Sequence, residues 1–215
     1  MNLARMKRVR HANMQLEDHS MRPDSELLAR IKADERYQAN LDWGEPRAGH
    51  PEGTVRAHIR ELEENLQRLR PRLLDAEIER LLVLIHVHDT FKPEAKAGAP
   101  IQHAQSHASL ARSFLAEFTD DPILLAIVQS HDEPFALWRQ FQQRGHCSDE
   151  RFAQLLTNIG DWNLFAAFLL IDGCTPGKGS EPLEWFLPFA ARHVPLAWTA
   201  GDARALCRAA RPQRH

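Results

Sequence analysis

The 215-residue sequence has few cysteines and no long hydrophobic run. Its three cysteines, Cys147, Cys174 and Cys207, are widely spaced and form no CxxC pair, which argues against a cysteine-ligated zinc site and favours a reducing compartment. The longest nearly apolar stretch, Leu164–Ile171, is too short to span a bilayer. The basic opening residues are not followed by the apolar segment of a signal peptide. We therefore expect a cytoplasmic protein without a membrane partner.

The sequence also has little net charge and no glycine-rich phosphate loop. The formal net charge is −2 with both signs mixed along the chain, so nothing indicates nucleic acid as a partner. The stretch CTPGKGS at 174–180 lacks the GxxxxGK[ST] spacing and follows a predicted helix, which argues against a P-loop. No nucleophilic serine or cysteine arrangement is present. Against a single tyrosine, however, the chain has twelve histidines.

Apolar residues recur at intervals of three and four positions from Thr54 almost to the C-terminus, and no alternating strand pattern of useful length occurs. This pattern predicts an all-α fold, a helical bundle. Thr54 is the predicted N-cap of its first helix, Asp75 caps the next, and Asp121 is followed by a proline at the first helical position. A single long helix is predicted for 149–172.

Length and composition suit one globular domain with a small extension. Residues 1–45 are polar and weakly patterned and are predicted to form an N-terminal extension. Residues 46–215 form the predicted helical domain, and the loop GEPRAGHPEG at 44–53 lies at the boundary between the two. Whether the chain forms a homo-oligomer stays open.

The stretch LLVLIHVHDTFK, at 81–92, begins as the interior of a helix and ends in histidine, aspartate and lysine. Burying such groups unpaired costs several kcal/mol, so His88 and Asp89 need a partner. Further histidines and an aspartate lie on other predicted helices: His58, His107, His131 and Asp172. Such wide spacing fits a bundle in which each helix offers one ligand to a shared interior point. Imidazole and carboxylate without thiolate suit iron, manganese or zinc.

The order His58, then His88-Asp89, then Asp172 resembles the H…HD…D signature of the HD-domain metal-dependent phosphohydrolases, over roughly 50–175. Many members read HDIGK, whereas this chain reads HDTFK and so keeps the lysine and lacks the glycine. With His107 and His131 added, the order resembles the binuclear subset, H…HD…H…H…D.

The resemblance implies two divalent metal ions, with iron or manganese as the first choice and magnesium, zinc, cobalt or nickel as alternatives. One ion would be held by His58, His88, Asp89 and Asp172, and the other by His107 and His131, with Asp89 bridging both and acting in catalysis. The implied reaction is hydrolysis of a small-molecule phosphomonoester or phosphodiester, such as a nucleotide, by attack of a water that bridges the two ions.

Lys92, three residues after Asp89, is predicted to be catalytic and to bind the substrate phosphate, although a lysine at a helix C-terminus also complements the helix dipole. Lys178 and Arg112 are further candidates for phosphate binding. Asp132 and Glu133 are predicted to orient a ligand histidine from behind.

Other interpretations stay open. A histidine taken singly is more often an ordinary core or surface residue than a ligand, and those in polar contexts, His50 among them, receive no role. The same ligand order resembles the mixed-valent di-iron oxygenases of the superfamily, of which myo-inositol oxygenase is the familiar type. A degenerate HD domain serving as a non-catalytic sensor is the third alternative. Phe135 and Trp138 are candidates for a substrate-pocket wall.

Overall fold

The computed structural model describes residues 25–211, and within that range the chain forms helices and no strands. The all-α prediction is therefore confirmed. The helices, in chain order, are α1 Glu26–Ala33, α2 Glu35–Asn40, α3 Val55–Leu69, α4 Asp75–Val87, α5 His107–Leu115, α6 Pro122–Ser130, α7 Glu133–Arg144, α8 Asp149–Asn158, α9 Trp162–Gly173, α10 Glu181–Ala190 and α11 Ala200–Ala210. Short 3-10 turns follow α3 and α4, at Arg70–Arg72 and Lys92–Glu94.

Two of the three predicted N-terminal caps, Thr54 and Asp121, are the N-caps seen in the structure. The side chains of Thr54 and Asp121 accept hydrogen bonds from the first backbone N–H groups of α3 and α6. The cap of α4 was predicted one residue too late. Leu74 is the N-cap and Asp75 is already helical, because the carboxylate of Glu77 accepts the hydrogen bond of the Leu74 N–H at 2.7 Å.

The single helix predicted for 149–172 is wrong, because the chain breaks it into α8 and α9. Gly160 and Asp161 lie at the break, and the side chain of Asp161 caps α9 by accepting from the N–H of Leu164 at 2.9 Å. A glycine weakens a helix interior and an aspartate competes for free N–H groups, so together they end one helix and begin another.

Helix α9 is the centre of the fold, since α3, α4, α10 and α11 all pack against it. Its residues from Leu164 to Ile171 are all buried, including the rings of Phe165 and Phe168. A helix that is apolar on every side is stable only when other elements surround it. The arrangement leaves Asp172, in the last turn of α9, beside the first turn of α3 and the end of α4.

Part of the predicted N-terminal extension, residues 1–24, lies outside the described residues. Its described remainder forms α1 and α2, and Leu28 and Ile31 of α1 are buried in the common core. On α2, the hydroxyl of Tyr37 lies 2.6 Å from Nδ1 of His86 on α4. None of the described helices combines the length and apolar character needed to cross a membrane.

Candidate metal centre

All six predicted ligands meet at one point of the bundle. They come from five helices: His58 from the first turn of α3, His88 and Asp89 from the end of α4, His107 from the start of α5, His131 from the end of α6 and Asp172 from the last turn of α9. Nε2 of His58 lies 3.1 Å from Oδ1 of Asp172, and Nε2 of His88 lies 3.8 Å from the same oxygen. The ends of five helices thus meet here, and they bring His58 and Asp172, which are 114 residues apart in the chain, into contact.

Asp89 lies in the middle of the cluster, and its two carboxylate oxygens face different histidine pairs. Oδ2 lies 3.8 Å from Nε2 of His58 and 3.5 Å from Nε2 of His88. Oδ1 lies 3.6 Å from Nε2 of His107 and 3.7 Å from Nε2 of His131. The cluster therefore consists of two groups of potential metal ligands that share one carboxylate.

The chemistry of His88 fits a cation at this point. Its Nδ1 lies 3.1 Å from the carbonyl oxygen of Leu84, which can only accept, so Nδ1 carries the proton and Nε2 carries the lone pair. Burial lowers the pKa of His88 to about 3, so the ring is neutral. Nε2 is buried without a hydrogen-bond partner and faces carboxylate oxygens. A lone pair directed at anionic oxygens is stabilised when a metal ion lies between them.

His131 has the same orientation, because its Nδ1 donates to the carbonyl oxygen of Val128 at 2.7 Å. Its Nε2 lies only 3.2 Å from Nε2 of His107. Burial by itself lowers the pKa of His131, but the carboxylates of Asp132 and Asp89 outweigh burial and raise this pKa to about 9. The pair of imidazole nitrogens thus lies where a positive charge, a proton or a metal ion, is favoured.

Asp132 has a different place from the predicted one. Its carboxylate lies on the Nε2 side of the histidines, 3.2 Å from His107 and 3.7 Å from His131, and not behind them. Asp132 is therefore an additional potential ligand of the second group. Glu133 does not reach the cluster, because Arg151 on α8 binds its carboxylate.

Two of the three predicted phosphate-binding cations lie at the cluster. The ammonium group of Lys92 donates a hydrogen bond to Oδ2 of Asp89, and that of Lys178 lies 2.8 Å from Oδ1 of Asp172. Arg112 is exposed on α5 and is not among the residues that line the cavity described next. The structure does not bring it to the cluster.

A cavity of about 780 Å³ opens over the cluster. Asp89, Lys92, His131, Asp172 and Lys178 lie in its wall beside the apolar side chains of Pro134, Phe135, Trp138, Leu169, Pro182 and Leu183. The rings of Phe135 and Trp138 are 5.5 Å apart between centroids. The volume falls within the range of small-molecule pockets, and a few polar groups among apolar walls are typical of such pockets.

Two residues of the site, His50 and Glu52, received no role from the sequence. His50 lines the cavity, and its Nδ1 lies 2.9 Å from Oε1 of Glu52. The same oxygen lies 3.0 Å from Nδ1 of His58. Burial by itself raises the pKa of Glu52, but the contacts with His50 and His58 outweigh burial and hold this pKa well below its usual range. In the sequence, the one feature that could have indicated a role for His50 and Glu52 is their position just before α3, the helix that carries His58.

None of the known protein families, curated proteins or solved structures compared with the chain matches it. The class of the protein follows from its own fold and site. It is a helical protein whose buried histidines and aspartates are placed to bind metal, an arrangement compatible with an HD-type site.

Proposed function

We propose that the chain is an HD-type, metal-dependent phosphohydrolase that acts on a phosphomonoester or phosphodiester. The observation that carries the proposal is the place of Asp89, whose two oxygens face two separate histidine pairs at the base of a cavity. In two-metal sites that hydrolyse phosphate esters the ions lie ~3.5–4 Å apart, and a carboxylate with one oxygen toward each ligand group would hold two ions close together.

The ligand atoms support two divalent ions. The first would be held by His58, His88 and Asp172, the second by His107 and His131, and Asp89 would contribute one oxygen to each. Nitrogen and oxygen donors favour iron or manganese over metals that prefer thiolate. When bound, such ions lower the pKa of a water molecule and neutralise charge on phosphate oxygens.

The protein's own cations suit an anionic substrate. Lys92 and Lys178 both line the cavity, and the ammonium group of each is bound to a different carboxylate of the site, that of Asp89 and that of Asp172. Both are within reach of a phosphate group bound above Asp89, where they would bind its nonbridging oxygens. These two cations favour the hydrolase over an oxygenase built from the same ligand set, because a phosphate ester carries the negative charge that they would neutralise.

The rest of the cavity indicates what the phosphate is attached to. A volume of about 780 Å³ leaves room for an organic group well beyond the phosphate. The rings of Phe135 and Trp138, inclined to each other by 32°, lie in the cavity wall, where a planar group would stack on an aromatic face. A nucleotide, or another phosphate ester with an aromatic ring, has both the phosphate group and the planar ring that such a cavity would bind.

The test is a phosphate-release assay on protein stripped of metal and reloaded with Mn²⁺ or Fe²⁺. Substrates would be nucleoside monophosphates, p-nitrophenyl phosphate and bis(p-nitrophenyl) phosphate, with oxygen uptake recorded in parallel. We expect metal-dependent phosphate or nitrophenol release that is lost in Asp89→Asn. Oxygen consumption without cleavage of any ester would contradict the hydrolase and support the di-iron oxygenase.

A further inference from the structure

The candidate ligand histidines differ in the acceptor that faces Nδ1, the ring nitrogen that points away from Asp89. His88 and His131 lie at the C-terminal ends of α4 and α6, and their Nδ1 atoms donate to backbone carbonyls of the last turn. The end of a helix offers such carbonyls, whereas its first turn offers N–H groups. His58 lies in the first turn of α3 and has no carbonyl in that position, so its Nδ1 needs an acceptor from elsewhere.

The carboxylate of Glu52 faces that nitrogen. Its side chain is only 3% exposed, and Oε1 lies 3.0 Å from Nδ1 of His58. The N–H of His58 is not aligned with Oε1, so Nδ1 of His58 and Oε2 of Glu52 are both buried without a hydrogen-bond partner, and a hydrogen bond from the ring to this carboxylate would satisfy the buried nitrogen. The loop that carries Glu52 is held in place by backbone hydrogen bonds between Arg47 and His50 and by a close approach at Gly44, where a Cβ atom would lie 2.4 Å from the Gly53 carbonyl oxygen.

We propose that Glu52 is a positioning residue of the metal centre. Its carboxylate holds the proton of His58 on Nδ1, so that Nε2 presents its lone pair toward Asp89 and Asp172. The same oxygen accepts from Nδ1 of His50 and fixes that ring in the cavity wall. A carboxylate behind a ligand histidine fixes the tautomer and raises the basicity of the ring. The inference rests on the metal centre of the proposed function, but it does not depend on which reaction the centre performs.

A different role for the same side chains competes with this one. The ligand atoms of His50, Glu52 and His58 lie within 4.8 Å of one another, close enough to hold a cation themselves. In that case Nδ1 of His58 would carry the lone pair and Nε2 the proton. A neutral imidazole has one lone pair, so His58 could not then bind a metal beside Asp89. The two roles exclude each other and can be separated by experiment.

The experiment measures Mn²⁺ binding to metal-free protein by equilibrium dialysis, with Mn²⁺ as the probe. We expect Glu52→Gln to weaken Mn²⁺ binding about 10- to 100-fold without changing the number of ions bound. The matched control is Glu63→Gln, which removes a carboxylate 3.1 Å from Nε2 of His86. His86 is a buried histidine that belongs to neither group of candidate ligands around Asp89. Glu63→Gln and His50→Ala should both bind Mn²⁺ as the wild type does.

Glu52→Asp is the second variant, because it keeps the charge and withdraws the carboxylate by one methylene. Weakened Mn²⁺ binding by this variant supports positioning, whereas wild-type affinity would show that only the charge matters and would overturn the proposal. Wild-type affinity for Mn²⁺ in Glu52→Gln would also overturn the proposal. Loss of one whole ion in Glu52→Gln, or an equal loss in His50→Ala, would show that Glu52 and His50 bind metal directly. If the wild type binds no Mn²⁺, the metal centre itself fails, which is a separate result.

Discussion

Nε2 of His88 lies 3.5 Å from Oδ2 of Asp89, its neighbour in the chain. Adjacent residues in a regular helix point in directions about a quarter-turn apart. Here α4 ends at Val87 and His88 is its C-cap, still with helical backbone angles, yet these atoms of two neighbouring side chains lie close together. The buried apolar run that precedes them therefore ends at a pair of facing metal-ligand atoms.

The first prediction concerns this pair. Asp89→Ala should lose both metal ions, because Asp89 faces both histidine groups. His88→Ala should lose one, because His88 belongs to one group. Metal content per chain after dialysis, measured by mass spectrometry, distinguishes the two results. His86→Ala is the control, since His86 is equally buried two residues earlier but contacts Tyr37 and Glu63. Full metal content in Asp89→Ala would show that the centre is misplaced.

The second prediction separates one ion from two. Of the two carboxylate oxygens of Asp89, His107 and His131 face only Oδ1. Replacing both histidines by alanine should therefore lower metal content from about two ions to about one, the loss of one ion of a two-metal site. Activity should fall steeply in the same protein. A wild type that saturates at a single equivalent of manganese or iron would contradict the second site, and the two histidines would then contact substrate.

Lys92 gives the third prediction. Its ammonium group binds the carboxylate that the metal ions would share, so in the proposed mechanism it would compete with metal for Asp89 and would bind the substrate phosphate. Lys92→Met should therefore bind Mn²⁺ at least as tightly as the wild type and yet lose about 100-fold in kcat. Lys96→Met, an exposed lysine of the same loop, is the control. Weaker Mn²⁺ binding in Lys92→Met would show that the lysine supports the centre only structurally.

The aromatic wall of the cavity gives the fourth prediction. Trp138→Ala should raise KM for a nucleotide or aryl phosphate about tenfold, a stacking loss of ~1–3 kcal/mol, with little change in kcat. KM for a small alkyl phosphate should stay the same. Phe141→Ala on the same helix is the matched control, because Phe141 stacks on Trp185 and does not line the cavity. Equal effects on both substrates would contradict stacking.

The fifth prediction concerns stability. The fully buried ring of Phe168 packs edge-on against His88, 5.1 Å between centroids. Phe168→Ala should lower the free energy of unfolding by ~3–5 kcal/mol through the cavity it leaves. Urea denaturation of the metal-free protein measures this change. Phe135→Ala, at a ring that is 48% exposed, should cost much less.

The helical pattern and the order of the ligands were readable from the sequence for a physical reason. Helices in a bundle repeat their buried positions every three or four residues, so apolar periodicity predicts the elements without knowledge of their packing. Ionisable residues at the end of an apolar run are costly unless paired, which singled out His88 and Asp89. The failure at 149–172 was local, because one glycine and one capping aspartate outweighed a continuous helical pattern.

What the sequence by itself determined is the fold class and the residues able to bind metal. Only the tertiary structure decided which atoms face one another: Asp132 beside the metal-facing nitrogens, Arg112 away from the cavity, and Glu52 behind His58. These relations depend on how helix termini and one loop pack around α9. Such contacts join residues far apart in the chain or lying on an irregular loop, and they leave no periodic trace in the sequence.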